Sequence, residues 1–399
     1  MDIEIKQLEK TLDAVKKTVS ETASKNVQIL RERVLTALKE NGFKVNPHIR
    51  PRGTTKAQLK LVHRKSKEDK IHKHSKFLRE NQKLAKEYAV DGSEIDPSEI
   101  KLELRQVTPD STESKLFLWW NLAWWSIPFE RPVGRQMRYI LWDKGHDAPF
   151  GLIGLHSPPL KMAVRDKYLN ITKEKLDYWV NMSLHGQRLG ALPPYNDLLG
   201  GKMVAMALSS NEIRGNYSEK YKNRKTWMKK RIIPSELLFV TTTSAFGKSS
   251  VYERVRYNDE HVSEFLGFTA GTGTFFISDQ LYKDLVSYLR SIGKNVPIGY
   301  GTGPSKKHKY VDMSLKKLGF GGNTTRIKRG FYLFSHVKNL NRVIAEKEKP
   351  KWHDRPFSKL GDFWINRYAV PRSTRIPTYK DYSFKKIQRK LDRTLKASI

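Results

Sequence analysis

The chain has 399 residues, with 75 Lys and Arg against 41 Asp and Glu, a net charge of +34, and no cysteine. That length supports two or three packed units. The lack of cysteine excludes disulfides and thiolate metal ligands and fits a reducing cytoplasm. So large a cationic excess repels itself unless polyanions offset it, which makes nucleic acid, DNA or RNA, the first expected partner and an anionic membrane surface the second. No apolar run is long enough to span a bilayer, and the opening MDIEIKQLEK lacks the basic start and apolar core of a signal peptide. The expectation is a soluble cytoplasmic protein with no membrane segment.

Residues 1–42 read as a helix, because Leu8, Leu12, Val15 and Val19 recur at helical spacing and Val27, Leu30, Val34 and Leu38 continue the stripe. The stripe docks the helix on its own domain or makes a short coiled-coil contact. A basic segment follows from Arg50 through Lys86, read as a helix whose modest apolar face holds Leu59, Val62, Phe77, Leu78 and Leu84. Its bases include Lys60, Arg64, Lys65, Lys67, Lys70 and Lys73, which form either a solvated face or a set of phosphate contacts. AVDGSEIDPSEIK, turn-rich and more acidic, is a linker, so residues 1–100 are expected as a helical, basic N-terminal arm.

Residues 105–300 are expected as a mixed α/β core. "LFLWWNLAWWSIPFERP" carries two tryptophan pairs among apolar neighbours, a pattern for core packing, with stacking on unpaired bases as the alternative. "MRYILWD" and "FGLIGLHS" read as an antiparallel hairpin. "PLKMAVRDKYLNI" and "TKEKLDYWVNMSL" read as helix and "RLGALPP" as a short strand. "ELLFVTTTSAF" is a strand whose β-branched threonines suit a pleat, "SEFLGFTAGTGTFFIS" a strand broken by Gly271 and Gly273, and "DQLYKDLVSYLRSIG" a helix. The order gives a mixed central sheet with helices between strands, an α/β or α+β fold. Residues 301–399 are a basic extension packed on that core. It holds a helix in "GPSKKHKYVDMSLKKLGF", a strand in "TTRIKRGFYLFSHV" and a basic helix in "YSFKKIQRKLDRTLKASI". There Lys306, Lys307, Lys385 and Lys386 add to the candidate phosphate contacts.

"PPYNDLLGGKMVAMAL" sets Gly200 and Gly201 in the first turns of an apolar helix that Asn196 or Asp197 can cap. Each glycine there costs roughly 1 kcal/mol against alanine, so something approaches the helix closely: a ligand phosphate, with Lys202 as counter-charge, or a neighbouring strand. The polar residues Asn196, Gly200, Gly201, Lys202, Thr242, Ser244, Lys248, Ser249 and Tyr252 stand at strand ends and helix starts, where α/β folds place ligands, and form the candidate pocket. No catalytic residue, cofactor or metal site is assigned. "TTSAFGKSS" has Thr242 where a P-loop needs its first glycine, and "NDLLGGKM" fails at both ends. In "TPDSTESK" Asp110, Glu113 and Lys115 lie too close together to sit on different strands as a metal nuclease requires. His72 and His74 sit among lysines that repel a cation.

One arrangement resembles acetyltransferases of the Gcn-five-related fold: a strand ending at Leu192, a glycine-containing turn into a helix, then a strand at 237–243. The resemblance implies a pyrophosphate held by N–H groups near Gly200 and a proton donor at Tyr252 or Tyr257. Asp197 and Lys202 depart from that pattern. Longer strings, "RPVGRQMRYILWD", "FGLIGLHSPPLKMAVRDKYLNI", "ALPPYNDLLGGKMVAMALSSNEI" and "LLFVTTTSAFGKSSVYERV", with "LGFTAGTGTFFI" and "GDFWINRYAVPR" following, are similar to protein A of the Druantia antiphage defence system and its relatives. That resemblance implies a role in bacterial immunity to phage beside partner proteins that include a large helicase-like component, and it carries no assigned catalytic residues. Three functions are compatible with these readings: a nucleic-acid-binding subunit, an enzyme with an acetyltransferase-like core acting on nucleic acid or protein, and an adaptor for acidic partner proteins.

Overall fold

The computed structural model describes residues 24–46, 48–125, 127, 134–227, 229–269, 275–294, 306–322 and 327–397. The Leu8–Val19 stripe and Gly271 and Gly273 lie outside them. The chain forms two compact units, one from Met1–Ser66 with Ala270–Ile327 and the other from Lys67–Thr269 with Lys328–Ile399.

In the first unit a helix over residues 24–40 buries Leu30, Val34 and Leu38, as the stripe predicts. Gly42, at φ +79°, turns the chain into β1 (Phe43–Val45), which pairs antiparallel with β2 (Ile49–Pro51). The Asn41 amide donates to the carbonyl of Phe276 at 3.1 Å, and Phe43 packs on Phe275 with ring centroids 5.8 Å apart. Helices Asp279–Ser291 and Lys306–Lys317 join through Leu289 and Tyr310.

The second unit is built on a seven-stranded mixed sheet. Its strands are β3 (Leu102–Gln106), β4 (Gln136–Asp143), β5 (Ala148–His156), β6 (Ser183–Ala191), β7 (Phe239–Thr243), β10 (Glu264–Thr269) and β11 (Arg329–Ser335), in the spatial order β10-β11-β7-β6-β5-β4-β3. A two-stranded ribbon, β8 (Arg256–Tyr257) with β9 (Glu260–His261), lies outside it. The predicted hairpin is β4–β5, and among the described strands of this sheet β6 and β7 pair parallel while the other neighbours pair antiparallel. Alternate residues serve opposite faces: Tyr139 and Leu141 join one core with Val204, Ile213 and Trp364, while Ile140 and Trp142 join the other with Leu116, Phe117 and Phe384. Helices on both faces account for the nearly unbroken apolar strings of β4 and β5. Trp119 and Trp120 are buried, edge to face at 5.3 Å, and pack on Phe384, so this pair fills the core.

Two elements differ from the sequence reading. The helix in "TKEKLDYWVNMSL" covers only Leu176–Val180, and the strand begins at Ser183. The apolar run through Met182 and Leu184 fits either period, and pairing with both β5 and β7 decides for the strand. The single basic helix is instead four short ones, Lys56–Leu61, Arg64–Lys73, Ser75–Glu80 and Gln82–Glu87.

Candidate functional site

The sheet opens at one place. β6 and β7 pair only from Ser183↔Phe239 to Gly186↔Thr242, yet β6 continues along β5 as far as Ala191↔Gly151. Beyond Gly186 the parallel strands no longer hydrogen-bond, and the chain leaving β6 enters helix Gly200–Ala207. The carboxyl ends of parallel strands at such a point are where open sheets receive ligands.

The two glycines of that helix have different reasons. A Cβ on Gly200 would stand 2.6 Å from the Tyr195 carbonyl oxygen, 2.7 Å from the Ala191 Cβ and 2.9 Å from the Phe150 ring. Protein atoms fill the space, so close packing is what demands this glycine. A Cβ on Gly201 would meet only Val251 methyls at 3.6 and 3.7 Å, an ordinary contact. Neither Asn196 nor Asp197 caps the helix. Leu199 precedes it in the left-handed region at φ 62° with no side-chain cap, and the Asn196 amide donates to Asp197 at 2.9 Å. The cap is displaced because Asn196 and Asp197 belong to the tight turns over Leu192–Leu198.

Most of the other candidates lie near this opening, already engaged. The Thr242 hydroxyl donates to the Gly186 carbonyl at 2.8 Å across the parallel pair. Ser244 Oγ accepts from the Gly330 N–H at 2.9 Å and donates to the Gly247 carbonyl. Lys248 pairs with Glu253 at 3.0 Å and lies 4.3 Å above the Phe265 ring. The N–H groups of Ser244, Gly247 and Ser249 donate to Gly330, Lys328 and the Tyr332 hydroxyl, so these three are not left for a phosphate. Tyr252 packs on Tyr332 and Phe334, and burial pushes its phenol up to about 12, which keeps it protonated. Tyr257 stands edge-on to Phe363 at 5.2 Å. Lys202 Nζ donates to the Arg254 carbonyl at 2.8 Å and sits 4.2 Å over the Tyr368 ring; burial, then Arg367 and Arg254, lower its pKa.

The candidate cations fall into engaged and outward groups. Lys65 pairs with Glu40, Lys73 with Asp69 at 3.0 Å and Lys307 with Asp279 at 3.8 Å. Lys67 donates to the Ala123 carbonyl at the end of helix Thr112–Ala123, and burial and nearby Lys390 push its pKa down to about 8. Lys60 and Arg64 are exposed, Lys70 is half-buried, and Lys306 opens helix Lys306–Lys317. Helix Phe384–Lys396 buries Phe384, Ile387 and Leu391 and turns Lys385, Lys386, Arg389, Lys390 and Arg393 outward, with Lys386 also donating to the Asp381 carbonyl at 2.6 Å.

Three features were not singled out from the sequence. Asp143, fully buried, accepts from His146 Nδ1 at 2.7 Å, the Tyr195 hydroxyl at 2.9 Å and the N–H groups of Lys101 and Gly145, both at 3.0 Å. His146 Nε2 accepts from the Asp96 N–H at 3.1 Å, so both ring nitrogens are spent and the cluster is a structural lock rather than an acid–base relay. A cavity of about 580 Å³ lies between β9, β10 and the Val337–Arg342 segment, lined by Glu260, His261, Glu264, His353 and Arg355, and none of the candidate-pocket residues reach it. The third is the turn around Trp227, legible as a lone aromatic in "KNRKTWMKKR". "TPDSTESK" forms a helix start, with Ser111 accepting from the Ser114 N–H at 3.1 Å. Among the described residues no group of His, Asp and Glu is arranged to hold a metal, and no helix is long and apolar enough to cross a membrane.

A family model described as Druantia protein DruA matches residues 53–346. A curated relative of that name from Escherichia coli (strain UMEA 4076-1) is 30% identical over 335 residues, which cover 82% of each chain. No solved structure matches.

Proposed function

Because this chain belongs to the Druantia protein DruA family, and is thereby a component of the Druantia antiphage defence system, we propose that it supplies that system with a nucleic-acid-binding surface. The observation that carries the proposal is where the acids go. Asp91 accepts from the Phe384 N–H at 2.7 Å and Ser383 Oγ at 3.0 Å, Glu212 from the Phe357 N–H, and Asp143 is enclosed. These carboxylates are spent on backbone and interior partners, whereas in this chain of net charge +34 Lys385, Lys386, Arg389, Lys390 and Arg393 of helix Phe384–Lys396 face outward beside one exposed acid of that helix, Asp392. A helix of 13 residues is roughly 20 Å long, and a row of cations on it matches a phosphate backbone. Phosphate contacts carry no base information, so binding should show little sequence preference. The other proteins of the system, a helicase-like component among them, are the proposed protein partners. The test is fluorescence anisotropy of the full chain with DNA and RNA at several salt concentrations. Engagement of about six phosphates gives a log–log slope near −5 on duplex DNA. No binding to any nucleic acid at low salt defeats the proposal and leaves the excess charge to acidic partner proteins.

A second reading, an enzyme with an acetyltransferase-like core, is favoured by the opening between β6 and β7, near which Lys202 donates to the Arg254 carbonyl, its pKa lowered by burial and then by Arg367 and Arg254. That cationic mouth suits a pyrophosphate-bearing acyl donor. Thermal unfolding with coenzyme A and with inorganic pyrophosphate checks it: stabilisation by either, abolished in Lys202→Ala, supports the reading, and no shift with either removes it.

A further inference from the structure

Trp227 is 79% exposed, whereas every other tryptophan of the chain is buried or half-buried. Leaving an indole in water forgoes the stabilisation that burial gives an apolar side chain, so its position needs a reason. The described residues on either side of it are paired. Lys225 bridges Ile232, the Thr226 N–H donates to the Arg231 carbonyl at 2.8 Å, and the Lys230 N–H donates back to Thr226 at 3.1 Å. Asp177 anchors the returning limb through Lys229 at 2.9 Å and Arg231 at 2.7 Å. The indole therefore projects from a turn whose two limbs are paired with each other and with Asp177. Between Tyr221 and Ile233 the chain carries Lys222, Arg224, Lys225, Lys229, Lys230 and Arg231 and no acid. The Lys230 ammonium sits 4.3 Å from the ring centroid.

We propose that this turn is a stacking platform for an unpaired nucleobase, with Trp227 taking the base and Lys222, Arg224, Lys225 and Lys230, all exposed, the adjoining phosphates. An exposed indole with one ammonium against it, on a stretch rich in cations, offers a π-face and positive charge together, which is what single-strand binders present to a nucleotide. A lipid surface fits less well, since an interfacial anchor needs a broad apolar face and this turn exposes one indole and Ile232. The proposal rests on the nucleic-acid reading and sharpens it to a preference for single strands.

The test uses the full chain with labelled oligothymidylate, a duplex of equal length and phosphatidylserine vesicles. Trp227→Ala should weaken oligothymidylate binding about five- to a hundredfold while changing duplex binding less than about twofold, and Trp227→Phe should restore most of the loss. The position is exposed, so the variants keep the fold. If the unaltered protein binds nucleic acid but Trp227→Ala binds oligothymidylate equally well, the platform is refuted and the broader function stands. If the substitution impairs only vesicle binding, the occupant is lipid and the platform is again refuted. If the unaltered protein binds no nucleic acid, both readings fall.

Discussion

At the carboxyl ends of β6 and β7 the polar residues have been taken up by the fold, whereas along helix Phe384–Lys396 and around Trp227 cations stand outward with few acids beside them. Thr242, Ser244 and Ser249 serve neighbouring backbone or phenol groups there, and Gly200 admits the Tyr195 carbonyl. The contrast teaches how to weigh a polar residue. One set inside an apolar string is used first by its own backbone, because an unpaired buried donor costs about 1–3 kcal/mol. A cation on the polar side of an amphipathic helix meets no such demand.

The largest effect should come from Gly200→Val. The atoms in the way include a carbonyl oxygen and a neighbouring strand's Cβ, neither of which can swing aside. We expect a loss of about 3 kcal/mol or more, seen as failure to fold or a greatly lowered denaturation midpoint. Stability near that of the unaltered protein would show that the space is not committed and would return Gly200 to the ligand reading.

Acidification probes the same committed interior. His185 and His336 are buried, and burial, then neighbouring charged or titrating groups (His156 and Arg165 for the first, Arg214, Arg355 and His353 for the second), push each pKa down to about 3. An unfolded chain protonates them near 6.5. Their contribution is therefore complete above about pH 6.5 and declines as pH falls toward 3, by about 1.4 kcal/mol per pH unit for each. Urea titrations between pH 7 and 4 should show that decline. His336→Leu should make it shallower, since neither ring nitrogen of His336 has a hydrogen-bond partner among the described residues.

The outward region responds to charge instead. Reversing Lys385, Lys386 and Arg389 to Glu spares Phe384, Ile387 and Leu391, so the fold should hold. Affinity for DNA at low salt should fall about tenfold or more, and the salt slope should flatten by about 0.9 for each phosphate no longer neutralised, up to about 3. An unchanged slope would move the interface elsewhere.

What was legible in the sequence follows the same division. The β4–β5 hairpin and helix Phe384–Lys396 could be read because local apolar period and turn residues define them. The insertion of β11 between β7 and β10 could not, because it is fixed by pairing between strands far apart in the chain, Phe331 with Thr243 and Phe265 with Tyr332. Nor could the different reasons for two adjacent glycines, since Phe150 and Ala191 reach Gly200 only after the sheet has formed. The candidate pocket was legible as a neighbourhood, but not the hydrogen bonds that already occupy it.

Gly201→Ala is the smallest change and separates the two regions most finely. The new methyl would touch Val251 at 3.6 and 3.7 Å, and the residue lies in the first turn of helix Gly200–Ala207. Alanine lowers the entropy of the unfolded chain and favours the helix, by about 0.5–1 kcal/mol. In a chain of this size that raises the melting temperature by roughly 1–3 °C. Thermal unfolding should show the gain, and a plaque assay in cells carrying the whole defence system should show full protection if packing alone placed a glycine there. A protein that is stabilised yet no longer protects would mean that something outside the chain must approach the Gly201 backbone, which a packing role does not require. The opening between β6 and β7 would then bind a ligand despite its engaged side chains, and the contrast between the two regions would be one of ligand type rather than of use.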